Sequence, residues 1–463
     1  MAIEAQNHLV PKFNLGTTTS GNKEWILWAF FFFIQISSLI NLSILPQAPV
    51  IPLISLALLV LLSSLFFRKL LLLLILLSIL TSETLYFEAG PVVIRGFDFL
   101  LLFALILFSA KWLIEKKNKF EDLPVFKLAL SLLVLTALVS LIGTISLKNS
   151  LLEFVQTIEL IIAAYIFFNI IKTEADIKFL FLVILPYSVL DALWILFQYW
   201  TGELLGRHIG LFQTLAFELS YGTAIATAFF YMTKKKWLKF IMLLSAALQI
   251  MAIYLSNGRG LFITAVLMAM LCNFVFALQK KKISSFVYIT GAILFAFLIS
   301  SLILNPEIEN RYTSIIEGGE MRDLRLIIWA ISLKIWQSFP LLGVGFGNAE
   351  LALVQFSPKP FGIALTALAD VKTPHNEYLS FAVQAGLFGF ITGLFFYAIL
   401  FRNSILIYRK SKGRLKEYSI ILLAFISGLL VWNMANDTLL AGKGMLIMLF
   451  IAILCRIYSL KKI

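Results

Sequence analysis

Residues 234–282 read KKKWLKFIMLLSAALQIMAIYLSNGRGLFITAVLMAMLCNFVFALQKKK. Two apolar runs, 238–255 and 261–279, are bounded by lysine triplets, and the SNGRG turn between them carries one cation, Arg259. Each run is about 20 residues long, enough for a helix to cross a hydrocarbon core of roughly 30 Å. A spanning β-barrel needs short alternating segments instead. Lysine-rich loops stay on the cytoplasmic side. The pair therefore predicts a helical hairpin that leaves the cytoplasm and returns to it, with Arg259 at the far end.

The same pattern extends outward in both directions. The chain has 463 residues, 60% of them hydrophobic, and a mean hydropathy of +0.95. Apolar segments fall near 25–45, 50–67, 70–87, 92–110, 124–147, 150–171, 178–200, 214–233, 283–304, 376–401, 418–435 and 440–458. Basic clusters occupy every second gap: Arg68-Lys69, Lys111 to Lys119, Lys172 and Lys178, Lys234 to Lys239, Lys280 to Lys282, Arg402 to Lys416, and Arg456 to Lys462. The expected fold is an all-α polytopic integral membrane protein. It has about 12–14 transmembrane helices in a single domain over 1–463, with both termini cytoplasmic. Residues 1–24 form a polar cytoplasmic tail without the order of a signal peptide. The formal charge of +13 reflects this topology, and nucleic acid is not an expected partner. Cys272 and Cys455 sit inside apolar runs and read as small buried residues, with no metal-ligand spacing.

Two loops on the far side are not short: 201–213 is of medium length and 305–375 is long. Residues 201–213 read TGELLGRHIGLFQ. Residues 305–375 contain a polar stretch, an amphipathic helix at 321–338 ending before Pro340, and the turn GVGFGN. Loops of that length in a compact protein are functional or disordered, and the tryptophans and isoleucines here favour a packed cap on the membrane surface.

The far side also gathers the chemistry. Arg322, Arg325 and Trp329, at i, i+3 and i+7, share a helix face, and Arg207 and Arg259 lie in neighbouring loops. Cations placed against the topology rule suit an anionic ligand, because guanidinium makes bidentate, charge-assisted bonds to phosphate. His375 stands in KTPHNEYLSF, where Thr373 can cap a helix and Pro374 fits its first position. In the first turn, His375 would be kept neutral by the helix dipole, and could either accept a hydroxyl proton or donate to a phosphate oxygen. GVGFGN has the wrong spacing for a dinucleotide fingerprint and reads as a tight turn, with a phosphate nest as the weaker alternative. Arg95 and Asp98 can pair at i, i+3. Glu153, Glu159 and Asp191 lie within apolar segments but form no relay across the bilayer, which weighs against a transporter.

SNGRG before an apolar span, the Arg322-x-x-Arg325-x-x-x-Trp329 helix, FPLLGVGFGN, and PHNEYL followed by six residues and Gly386 resemble, in that order, the O-antigen ligase and polymerase superfamily. The similarity covers roughly residues 200–400. Arg207 matches the family's loop arginine, but the Asn-Pro-Asn run that follows it in the family is absent, and Gly258 replaces the serine before Arg-Gly. The resemblance implies a C-type glycosyltransferase architecture and a metal-independent, cofactor-free enzyme on the outer face of the bacterial inner membrane. The implied donor is a glycan on undecaprenyl pyrophosphate. The implied acceptor is lipid A-core for a ligase, or a second lipid-linked repeat for a polymerase. Arg207, Arg259, Arg322 and Arg325 would hold the pyrophosphate, and His375, Arg259 and Arg325 would act in catalysis. A transporter of the same lipid is the non-enzyme alternative.

Overall fold

The computed structural model describes residues 72–73, 75–76, 86–89, 92–95, 101, 121–201, 209–256, 259–303, 320–356, 373–439 and 444–461. The tail 1–24, the first spans and Arg207 lie outside the described residues, as do the side chains of Arg259 and Arg322. The chain divides into two compact units, Met1–Asn118 and Lys119–Ile463.

In the first unit, strands β1 (Tyr86–Ala89) and β2 (Val92–Arg95) pair antiparallel, with Ala89 opposite Val92. Helical span edges were expected here. The β-branched run Val92-Val93-Ile94 and the Gly90-Pro91 connection favour a hairpin. Arg95 ends a strand, so the helical spacing of Arg95 to Asp98 does not apply.

The described residues of the second unit form helices joined by turns and loops, with no strand among them. Its helices are α1 (Lys127–Ser140), α2 (Leu147–Ile170), α3 (Glu174–Thr201), α4 (Ile209–Met232), α5 (Lys236–Leu255), α6 (Arg259–Lys280), α7 (Ile283–Ile303), α8 (Glu320–Ser338), α9 (Ala349–Phe356), α10 (Glu377–Lys410), α11 (Gly413–Trp432) and α12 (Gly444–Leu460). Six helices among the described residues are long and apolar enough to cross a bilayer, so this is a multi-pass membrane protein. Helix α4 takes in residues 209–213 of the expected loop. Helix α4 packs on α3, α5 and α6; α6 packs on α11, α12 on α2, and α1 on α10. At one end of the bundle, Arg456 is buried against Glu121 (2.8 Å), the Phe168 carbonyl (2.7 Å) and the Phe168 ring. Lys172 also reaches Glu121 at 2.7 Å.

Helix α10 is broken. Ala385 and Gly386 leave helical dihedrals, and Gly386 takes φ +62 and ψ −153, a region that only glycine enters without strain. The two halves fold back on each other. A Cβ at Gly393 would lie 2.7 Å from the Phe381 ring, and one at Gly389 would lie 2.7 Å from the Phe381 carbonyl. The Tyr378 and Tyr397 rings are 5.9 Å apart. In an unbroken helix, residues 381 and 393 would be separated by about 18 Å. Residues 377–384 are thus a half-helix lying along the 387–410 segment, which is about 36 Å long and crosses unaided.

The break is satisfied by the GVGFGN turn. Val344 N–H donates to the Val383 carbonyl (3.0 Å), Gly345 N–H to the Gln384 carbonyl (2.9 Å), and Leu387 N–H to the Pro340 carbonyl (2.7 Å). Gly347 N–H donates to Gln384 Oε1 at 2.7 Å and Phe346 N–H to Ser140 Oγ at 3.3 Å. Every N–H from Gly343 to Asn348 is used internally, so the turn is a structural plug and not a phosphate nest. Irregular backbone at membrane depth requires such partners. Behind it, Ile328, Ile331 and Ile335 of α8 pack with Val344, Ala352, Leu353 and Val383.

Candidate functional site

The half-helix begins where three other segments meet. Asn376 is its N-cap: its side chain accepts from Leu379 N–H at 3.0 Å and donates to the Met434 carbonyl at 3.0 Å. Glu377 N–H donates to the Asn433 carbonyl (2.9 Å) and the Asn436 carbonyl (3.2 Å), and its carboxylate accepts from Thr438 N–H. Tyr378 Oη reaches the Leu430 carbonyl at 3.1 Å. Segment 433–439, after α11, is therefore bound along the start of the half-helix. Helix α8 supplies the third side, because Trp329 Nε1 donates to the Pro374 carbonyl at 3.1 Å. Helix α6 supplies the fourth. Its Gly260 lies close enough that a Cβ would stand 3.6 Å from the Trp432 ring and 3.9 Å from Asn436 Nδ2.

His375 sits at the centre of this junction, one residue before the cap and not within the first turn. Asn376 caps in place of Thr373 because its carbonyl oxygen reaches the third helical N–H, the usual geometry of a good cap. His375 has φ +52, a left-handed conformation that costs a non-glycine residue about 1–2 kcal/mol. Pinned flanks impose it: Trp329 holds Pro374 and the cap holds Asn376. Such strain persists where surrounding contacts over-determine the backbone, as they do at active sites.

The electrostatics follow from burial. Desolvation lowers the His375 pKa; Asp437 opposes that shift and Arg325 adds to it. Its neutral form therefore has a physical cause other than the helix dipole. Asp437 is nearly enclosed, and burial pushes its carboxyl above the usual range. Ser380, Thr373 and His375 pull the other way. Ser380 Oγ donates to Asp437 Oδ1, and the Thr373 side chain and the His375 backbone also bond to this carboxyl. The arrangement couples an imidazole to a buried carboxyl behind it and a guanidinium within electrostatic reach. A neutral imidazole so placed can take a proton, and the carboxyl can stabilise the resulting imidazolium.

Of the residues singled out by sequence, the structure brings together His375, Arg325 and the helix start carrying Arg259. It adds Asp437, Glu377, Ser380 and Asn433, which sequence reasoning missed. For Asn433 and Asp437 the signal was present in WNMANDTLL at 432–440, where four polar side chains stand between two apolar runs, one of them an acid; Glu377 and Ser380 stand in KTPHNEYLSF beside His375. Leu439, at the end of segment 433–439, lines a small cavity with Leu133, Glu153, Thr157, Leu160 and Phe346.

Residues 240–394 match the family described as O-Antigen ligase, and no curated protein matches the chain. The matched stretch runs from α5 into α10. It contains Arg259, Arg322, Arg325, His375 and Gly386 but stops short of segment 433–439.

Proposed function

We propose, on the premise that residues 240–394 belong to the O-antigen ligase and polymerase superfamily, that this chain is a glycosyltransferase acting as an O-antigen ligase. It moves a glycan from undecaprenyl pyrophosphate to a sugar hydroxyl of lipid A-core, on the outer face of the inner membrane. The observation that carries the reading is His375, held in a left-handed conformation between Asp437 and Arg325. The alternation of basic clusters supports the outward orientation, with both termini cytoplasmic.

The chemistry follows from these residues. The acceptor hydroxyl gives its proton to the free ring nitrogen of His375, and its oxygen bonds to the anomeric carbon. The bond from that carbon to the phosphate oxygen breaks, and its electron pair leaves with the lipid pyrophosphate. Negative charge grows on the leaving oxygen, where arginines fixed in advance stabilise it. Arg325 and Arg259 take that role, with Arg207 and Arg322 as further phosphate contacts. Asp437 stabilises the imidazolium.

The test is transfer by purified protein in proteoliposomes, supplied with lipid-linked glycan and either lipid A-core or a second lipid-linked repeat. The expected product is glycan on lipid A-core, reduced about a hundredfold or more in H375A. Chain extension of the second repeat instead would identify a polymerase. Undiminished transfer by H375A would remove the assigned base.

A further inference from the structure

We propose that Glu377 is a positioning residue, whose backbone N–H and carboxylate clamp segment 433–438 so that Asp437 stands against His375. The inference rests on the transferase reading above and extends it to a residue that touches no substrate. One side chain and its own amide grip the segment on both sides of Asp437. The amide is shared between the Asn433 and Asn436 carbonyls at 2.9 and 3.2 Å, and the carboxylate takes Thr438 N–H. Residues 436 and 438 are the chain neighbours of Asp437, so its position is set from either side by Glu377. Thr438 Oγ1 donates back to Asn433 Oδ1 and closes the segment on itself.

Glu377 is fully buried. A carboxylate in that setting is expensive unless hydrogen-bonded, and the first turn of a helix is where a negative charge is best tolerated. A residue that only ended the helix would not need to reach across to another segment. Among the described residues, the charged groups that act on His375 are Asp437 from segment 433–439 and Arg325 from α8. Ser380, one turn along the half-helix, donates to the same Asp437. Glu377 and Ser380 thus hold Asp437 from one element, and the His375 backbone bonds to the same carboxyl.

The test reads His375 directly, with activity alongside. The chain has three histidines, so full-length protein carrying H8Q and H208Q leaves one. Diethyl pyrocarbonate modifies neutral imidazole, and its rate against pH gives the His375 titration midpoint. E377A should move the midpoint to lower pH, in the direction of D437N, and lower transfer at least tenfold. E377A combined with D437N should transfer no worse than D437N alone. E377Q keeps an oxygen for Thr438 N–H and should restore the midpoint. E377D, too short by one carbon, should fall between and serves if E377A does not fold. An unmoved midpoint in both E377A and E377D, losses that multiply in the double variant, or E377Q behaving like E377A would each overturn the inference. A wild-type protein that shows this modification pattern but transfers glycan to neither acceptor would sink the transferase reading and leave the clamp standing.

Discussion

Replacing Gly386 by alanine tests whether the folded-back half of α10 is locked by the GVGFGN turn. Two separate penalties apply. Gly386 sits at φ +62 and ψ −153, and a residue with a Cβ held there is strained by about 1–3 kcal/mol. The added Cβ would also collide with the backbone of Leu341, a contact that flexible side chains cannot relieve; forced overpacking of this kind costs about 1–3 kcal/mol more. Two other glycines separate these effects. Gly413 has φ +55 with nothing near its Cβ position, and Gly291 lies in α7 with open space around it. Thermal unfolding of the four proteins in the same detergent gives the order. G291A should match or slightly exceed wild type, because alanine is favoured over glycine in a helix by about 1 kcal/mol. G413A should lose about 1 kcal/mol from backbone strain alone, and G386A about 2–6 kcal/mol. G386A should also lose transfer, because the half-helix carries the His375 junction. If G386A unfolds no earlier than G413A, the crossing is not tight and the half-helix is held by something else.

Further outcomes follow from the same geometry. In the proposed reaction the base is neutral His375, whose pKa is lowered by burial and by Arg325; activity should then hold as pH falls past the ordinary histidine value near 6.5 and drop only below it. R325Q removes a lowering influence and should move that acid limb to higher pH, whereas D437N removes a raising one and should move it lower; identical shifts would show that the two groups do not face the imidazole. W329F deletes the bond to the Pro374 carbonyl, which should cost about 1 kcal/mol of stability and lower kcat more than it raises KM. R456A, at the opposite end, breaks a buried cation's contacts with Glu121 and the Phe168 carbonyl. It should destabilise by about 1.5–3 kcal/mol, since Glu121 keeps Lys172, while transfer per folded molecule stays at the wild-type value.

The helices were legible because apolar runs and basic clusters record the bilayer directly. The amphipathic pattern at 321–338 became α8, Glu320–Ser338, since its isoleucine face has a core to cover. The meeting of the Arg259 and His375 segments was legible only as a shared side of the membrane; the contacts of Gly260 and Trp329 give it three-dimensional form. The break at Gly386 was not readable from its neighbours. Its carbonyls are satisfied by residues some forty positions earlier, and nothing in the local pattern separates a glycine at a fold-back from one in a span. The cap was misplaced because Thr373 and Asn376 are both competent, and the Asn376 bond from Leu379 N–H decides between them. Asp437 was missed because one acid in a short inter-span segment looks like an ordinary loop until its burial is seen. The hairpin at 86–95 was hidden by an apolar content that suits a strand as well as a helix.

Binding of farnesyl pyrophosphate, compared with farnesol, to purified wild-type protein and to R259Q and R325Q tests most directly whether these cations surround one anionic headgroup. Loss of a charge-assisted bond worth about 1.5–3 kcal/mol should weaken the pyrophosphate about tenfold to a hundredfold in each variant, with farnesol unaffected. Equal affinity for the pyrophosphate in all three proteins would contradict a shared phosphate pocket at the His375 junction.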